Sequence, residues 1–184
     1  MNEITSSEKN WRHTFWLALL VASSVVFSLS FACATPFVAF ATAAAITQPR
    51  QDAYLLIAAV WTVNQLVGFT FLHYPWNADT LAWGVAIGVS AALSTLAARW
   101  GASRVNGMRG VVIAFLLAFA AYEGALFATA LALGGTADFT LAIKGRMFAI
   151  NAIALIGLLL LNRVGIAARL TSMRGIRAPA TIHA

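Results

Sequence analysis

The stretch Phe31-Ala32-Cys33-Ala34-Thr35-Pro36-Phe37 sits inside a run, Thr14 to Thr47, that carries no charged side chain. Read as one helix, the run would extend on the order of 50 Å, far beyond a hydrocarbon core of about 30 Å. Pro36 breaks it. A proline in a helix interior loses a backbone hydrogen bond, clashes with the preceding turn, and pushes the residue before it, Thr35, out of helical geometry. The pattern therefore predicts one helix over 14–32 and a second, short one over 36–47. The short one is near the lower limit for a crossing and either tilts or packs against protein rather than lipid.

The rest of the chain agrees on the solvent. Of 184 residues, 61% are hydrophobic and 10% charged, with a mean hydropathy of +0.82. A soluble globule is about half apolar and about a quarter charged, so this chain has too little polar surface to face water. Four more apolar segments, 53–73, 79–98, 110–133 and 147–167, have the length of about 20 residues that a crossing needs. The expected architecture is an all-α integral membrane protein of six transmembrane helices, the second one short. They occupy 14–170, between tails at 1–13 and 171–184 that read as short disordered ends.

Charge placement sets the expected orientation. The 12 Lys and Arg against 6 Asp and Glu cluster between apolar segments, so they report topology rather than a nucleic-acid partner. With six crossings and the N-terminus inside, Lys9, Arg12, Arg50, Arg99, Arg104, Arg109, Arg163, Arg169, Arg174 and Arg177 fall on cytoplasmic segments. Only Lys144 and Arg146 remain outside. Five crossings divide the bases less unevenly, so the positive-inside rule favours six, with both termini cytoplasmic.

Several function classes drop out. The single cysteine excludes an internal disulfide framework and a Cys-rich metal site, and His13, His73 and His183 lack metal-ligand spacing. Neither a GxxxxGK[ST] nor a GxGxxG loop occurs, so ATP binding by this chain is not expected.

Chemistry gathers instead on the external side. It holds the Cys33–Pro36 turn, the loop His73-Tyr74-Pro75-Trp76-Asn77-Ala78-Asp79, and the loop Gly134-Gly135-Thr136-Ala137-Asp138-Phe139. Aromatic, amide and carboxylate groups of this kind suit a polar ligand with a flat apolar body. Beneath them, Asn64 and Gln65 fall near mid-membrane, where unpaired amides are costly. Trp61, Asn64 and Gly68 share a helical face. Gluing helices together stands slightly ahead of ligand contact for these amides. Tyr74 and Trp76 also fit an interfacial aromatic belt. Glu123 is the one carboxylate well inside an apolar segment, with no base expected at its depth; its role and that of Asn151 stay open. Ala18 and Ala22 share a small-residue face on the first helix, for which intramolecular packing is the larger reading.

Three readings compete for Cys33. Lipidation fits poorly, because Ser30, Phe31 and Ala32 do not form the expected signal and another apolar helix follows. A buried filler is plain and common. A thiolate supplying one axial bond to a metal held in a macrocycle, haem or corrinoid, fits the position at a proline-broken junction. On the residues alone, filler and ligand stand level.

The combination of Ala-Cys-Ala-Thr-Pro-Phe at 32–37, Asn64-Gln65-x-x-Gly68-Phe69, and Tyr74-Pro75-Trp76-x-x-Asp79-x-x-x-Trp83-Gly84 resembles the BtuM-type cobalamin transporters. These are six-helix membrane proteins related to the substrate-binding S-components of energy-coupling-factor transporters. The resemblance covers about 14–98; beyond that the chain matches only as apolar helices of suitable number. It implies an S-component-like bundle in a bacterial inner membrane that takes cobalamin (vitamin B12) or a related corrinoid from the periplasmic side. It also implies that Cys33 is the cobalt ligand, with decyanation of cyanocobalamin as an accompanying activity. The residues gathered for the ligand are Cys33, Thr35, Asn64, Gln65, Tyr74, Trp76 and Asp79. Ala18 and Ala22 then resemble the surface by which S-components meet a transmembrane coupling subunit and its ATPases. Two readings compete: a membrane haem or quinone redox protein using Cys33 or His73, and a non-catalytic assembly subunit packing through Ala18 and Ala22. A peptidase or acyltransferase is disfavoured, because no external histidine–carboxylate pair is spaced to activate the thiol.

Overall fold

The computed structural model describes residues 18, 20–24 and 35–167. Residues 20–24 are helical, with Leu20 and Ser24 buried. Five helices follow: α1 (Phe37–Thr47), α2 (Arg50–Thr70), α3 (Ala78–Arg104), α4 (Gly107–Leu133) and α5 (Leu141–Ala167), with a 3₁₀ turn at Thr136–Asp138. No strand occurs among the described residues. The last four helices are long and apolar enough to cross a membrane. A chain of this kind is embedded in a bilayer, since helices satisfy their own backbone polar groups where no water is present.

Helix α1 starts where Pro36 allows. Proline has no N–H to lose at a helix start, Phe37 N donates to Thr35 O at 2.8 Å, and Phe40 N closes the first helical bond onto Pro36 O. Its other end stops at Gln48, which is extended, just before Pro49. At about 1.5 Å per residue, its 11 residues span roughly 16 Å, about half a hydrocarbon core. Every residue from Phe37 to Ala44 is buried. The short helix therefore packs against protein, one of the two expected outcomes. Its alanines let the backbones of α2, α3, α4 and α5 approach it, and it packs against all four.

Both of its ends are tied down by side chains from other helices. The first turn has no side-chain cap of its own. Instead, buried Asn151 of α5 accepts from Ala39 N at 3.1 Å through Oδ1, and its Nδ2 donates to Met147 O at 2.9 Å. At the other end Arg99 of α3 donates to Gln48 O at 3.3 Å and to Ala45 O at 3.5 Å. A cation there also complements the partial negative charge of the helix C-terminus.

Successive helices joined by the two-residue links at 48–49 and 105–106 run in opposite directions, because such links leave no room for a crossover. Helices α3 and α4 form the tightest pair. A Cβ on Gly101 would lie 3.1 Å from Ala114 Cα, and Ser94 donates across to Ala118 O at 3.0 Å. Helix α4 ends at Gly134 and Gly135, with φ of 94° and 99°, a left-handed backbone that glycine adopts without strain. Helix α5 meets the bundle mainly through α1, with Phe148 set edge-on to Phe115 and Phe119 at centroid distances of 5.2 and 5.1 Å.

Three segments differ from the sequence reading, the one expected at 79–98 running on to Arg104. The segment expected at 53–73 runs from Arg50 to Thr70, and the one expected at 147–167 begins at Leu141. Lys144 and Arg146 are thus helical rather than part of an external loop. The reason is local: the Lys144 ammonium lies 5.3 Å from the centroids of both Phe127 and Phe139, so its charge rests on aromatic faces without ending the helix.

Candidate functional site

Helix alternation gives the bundle two unlike ends. One, the arginine end, collects Arg50, Arg99, Arg104, Arg109 and Arg163. The other, the aromatic end, carries the start of α1, the 71–77 and 134–140 connections, Lys144 and Arg146. The expected ligand residues that can be described all belong to the aromatic end.

At its centre is a chain of polar side chains. Asn64 of α2 donates to Thr35 Oγ1 at 2.8 Å, and Gln65 Nε2 reaches Asn64 Oδ1 at 3.3 Å. Thr35 is buried, while both amides are half-buried. Gln65 Oε1 lies against Gly84, where a Cβ would come within 2.7 Å. One turn back along α2, Trp61 Nε1 donates to Gly84 O at 2.8 Å, and a Cβ on Gly88 would meet the same nitrogen at 2.8 Å. Glycine on α3 thus lets the indole and the amide reach the backbone. These groups join three segments, α1's lead-in, α2 and α3, in keeping with the helix-joining reading of the amides.

About one turn above Gln65, the 73–79 loop folds back onto α2. His73 takes a positive φ of 55° and is exposed. Tyr74 N donates to Gly68 O at 3.1 Å, and the Tyr74 ring occupies the space a Cβ on Gly68 would need, with atoms at 2.7 Å. Trp76 stacks on Phe69 at 4.2 Å between centroids yet remains 76% exposed. Asn77 caps α3 by accepting from Thr80 N at 2.8 Å. Asp79 is exposed in the first turn of α3, where a carboxylate complements the helix N-terminus. Thr35, Asn64 and Gln65 therefore form one connected group. Tyr74 packs onto Gly68 at the next turn, while Trp76 and Asp79 are exposed.

The 134–140 connection completes this end, with Gly135 approaching the Trp83 ring and Phe127 set edge-on to Phe139 at 5.3 Å. Glu123 is half-buried on α4. Lys144 of α5 lies against the Phe127 ring, one turn from Glu123 along α4. Next to Glu123, Tyr122 stacks on Phe37 at 6.1 Å.

Cys33 lies outside the described residues. Ala18 and Ala22 are both exposed. Among the described residues no group of three or more His, Cys, Asp or Glu side chains is placed to hold a metal ion. An open groove of about 780 Å³ lies at the arginine end, along Arg50, Gln51, Tyr54, Leu55 and Ala58. All five of these residues come from the first turns of α2, so their side chains line one helix surface rather than converging from several elements.

Two residues that organise this end escaped the sequence reading. Asn151 was visible only as a lone amide in an apolar span, a signal that flags a role without naming one. Asn77 stood in the loop, and its place just before an apolar run is the available sign of a cap. Comparison with protein families, with characterised proteins and with solved structures finds no match to this chain.

Proposed function

We propose that the chain is a corrinoid-binding membrane transporter of the S-component type, with Cys33 as the cobalt ligand. The observation that carries this reading is the 2.8 Å bond from Asn64 to Thr35. Thr35 follows Cys33 by two residues. The bond therefore fastens the chain beside the thiol to a polar group under an aromatic-rich loop. A flat macrocycle with amide side chains needs this combination: hydrogen-bonding amides for its periphery, aromatic faces for its plane, and one axial donor for its metal.

In this reading Cys33 binds as the thiolate, releasing its proton to water and donating an electron pair to Co(III). When the incoming corrinoid carries cyanide, that group leaves with its own bonding pair, so cobalt keeps its oxidation state. Thr35, Asn64 and Gln65 meet the corrin amides, Tyr74 and Trp76 cover the ring, and Asp79 meets the polar rim. Six crossings, the short second one being α1, place the arginine end in the cytoplasm by the positive-inside rule. Both termini are then cytoplasmic and the aromatic end opens to the periplasm of a bacterial inner membrane. The exposed Ala18 and Ala22 offer a close-approach surface for a coupling transmembrane subunit.

The test is an ultraviolet–visible titration of purified protein with cobalamin. The wild type is expected to shift the cobalt absorption, and Cys33→Ser to abolish the shift. An unchanged spectrum in the Ser variant with binding intact removes the coordination claim. A copurifying pigment with a haem Soret band removes the corrinoid reading altogether.

A further inference from the structure

The outer end of α1 is held by a residue more than a hundred positions away. Asn151 is buried, and its Oδ1 takes the Ala39 N–H at 3.1 Å. That donor is one of the first-turn N–H groups a helix cannot satisfy internally. Pro36, at the cap position, supplies no side-chain acceptor. The amide nitrogen of Asn151 is spent on Met147 O in its own helix at 2.9 Å, which fixes which atom faces α1. One turn before Ala39 stands Thr35, the residue that Asn64 holds from α2. The start of α1 is thus pinned between two amides, one from α2 and one from α5.

We propose that Asn151 is a positioning residue for the aromatic-end site: by accepting from Ala39 N–H it sets the placement of Thr35 against Asn64. The inference rests on the proposed corrinoid reading only for its link to binding. Without the acceptor, Ala39 N–H is left buried and unpaired, and the first turn of α1 relaxes by fraying toward other partners. Thr35 then loses its fixed distance to Asn64. An aspartic acid side chain at 151, in its neutral form, keeps one oxygen as acceptor toward Ala39 N–H and a hydroxyl as donor toward Met147 O. A leucine keeps the volume and removes the acceptor.

The experiment uses the full-length protein in detergent and reads two things. The first is the alkylation rate of Cys33, the only thiol in the chain, by a small maleimide without ligand. The second is cobalamin affinity from the spectral titration. In Asn151→Leu, alkylation is expected to speed up several-fold and affinity to fall about tenfold, as for loss of one buried hydrogen bond. Asn151→Asp is expected to match the wild type in both. Where the Leu variant fails to fold, Asn151→Ser, too short to reach Ala39, takes its place. Equal alkylation of wild type and the acceptor-less variant overturns the inference, as does an Asp variant that behaves like Leu. If wild type binds no cobalamin, the proposed function fails while the alkylation comparison still decides the role of Asn151.

Discussion

Helices α1 and α5 are both apolar, yet the fold treats them in opposite ways. Helix α1 has 11 residues, is buried from Phe37 through Ala44, and has its two ends tied by Asn151 and Arg99. Helix α5 has 27 residues and leaves Leu141, Ile153, Ile156, Leu160 and Val164 at least 60% exposed. A long helix closes its own backbone bonds over most of its length and can rest against lipid. A short one has a large share of its N–H and C=O groups at its ends, so it needs neighbours to supply partners. Apolarity alone does not say which helix is inside; length and end chemistry do.

The largest test of this contrast is side-chain truncation. Phe40→Ala on α1, where the ring is fully buried, is expected to cost about 3–5 kcal/mol. Ile156→Ala on α5, 60% exposed, should stay within about 0.5 kcal/mol. Unfolding of both variants in the same detergent measures the difference, and equal losses would break the comparison. Glycine gives a second, smaller contrast. A Cβ on Gly110 of α4 would collide with Val105 O, while one on Gly157 of α5 meets nothing within 4 Å. Gly110→Ala should therefore cost about 1–3 kcal/mol. Gly157→Ala should be neutral or stabilise by up to about 1 kcal/mol through helix propensity, as thermal unfolding would show. The smallest effect belongs to Arg99→Gln. Its bonds to Gln48 O and Ala45 O are long and half-exposed, so the loss is expected near 1 kcal/mol. Hydrogen exchange at the last turn of α1 would locate it, and no change there would mean that the cap holds nothing.

The sequence carried the short helix well, because Pro36 and Pro49 act locally and a proline's effect on its neighbours needs no knowledge of the fold. The expected 36–47 and the observed Phe37–Thr47 nearly coincide. It misplaced the start of α5, because a lysine in an apolar run reads as a loop until the rings of Phe127 and Phe139 are known to lie beside it. For the candidate site, Asn64 and Gln65 could be singled out by the cost of an amide in a membrane. Their partners could not be read, since Thr35 is 29 positions from Asn64 and Ala39 is 112 from Asn151. Contacts at that separation follow from how helices stack, which spacing along one helix does not encode.

The turn at Gln48–Pro49 has a consequence for how the protein is made. A span of roughly 16 Å is too short to partition into a bilayer by itself, but two residues join it directly to α2. To the insertion machinery α1 and α2 are then one hairpin, delivered together. The short arm becomes secure only when α3, α4 and α5 close around it, so biogenesis ends with the element nearest the centre.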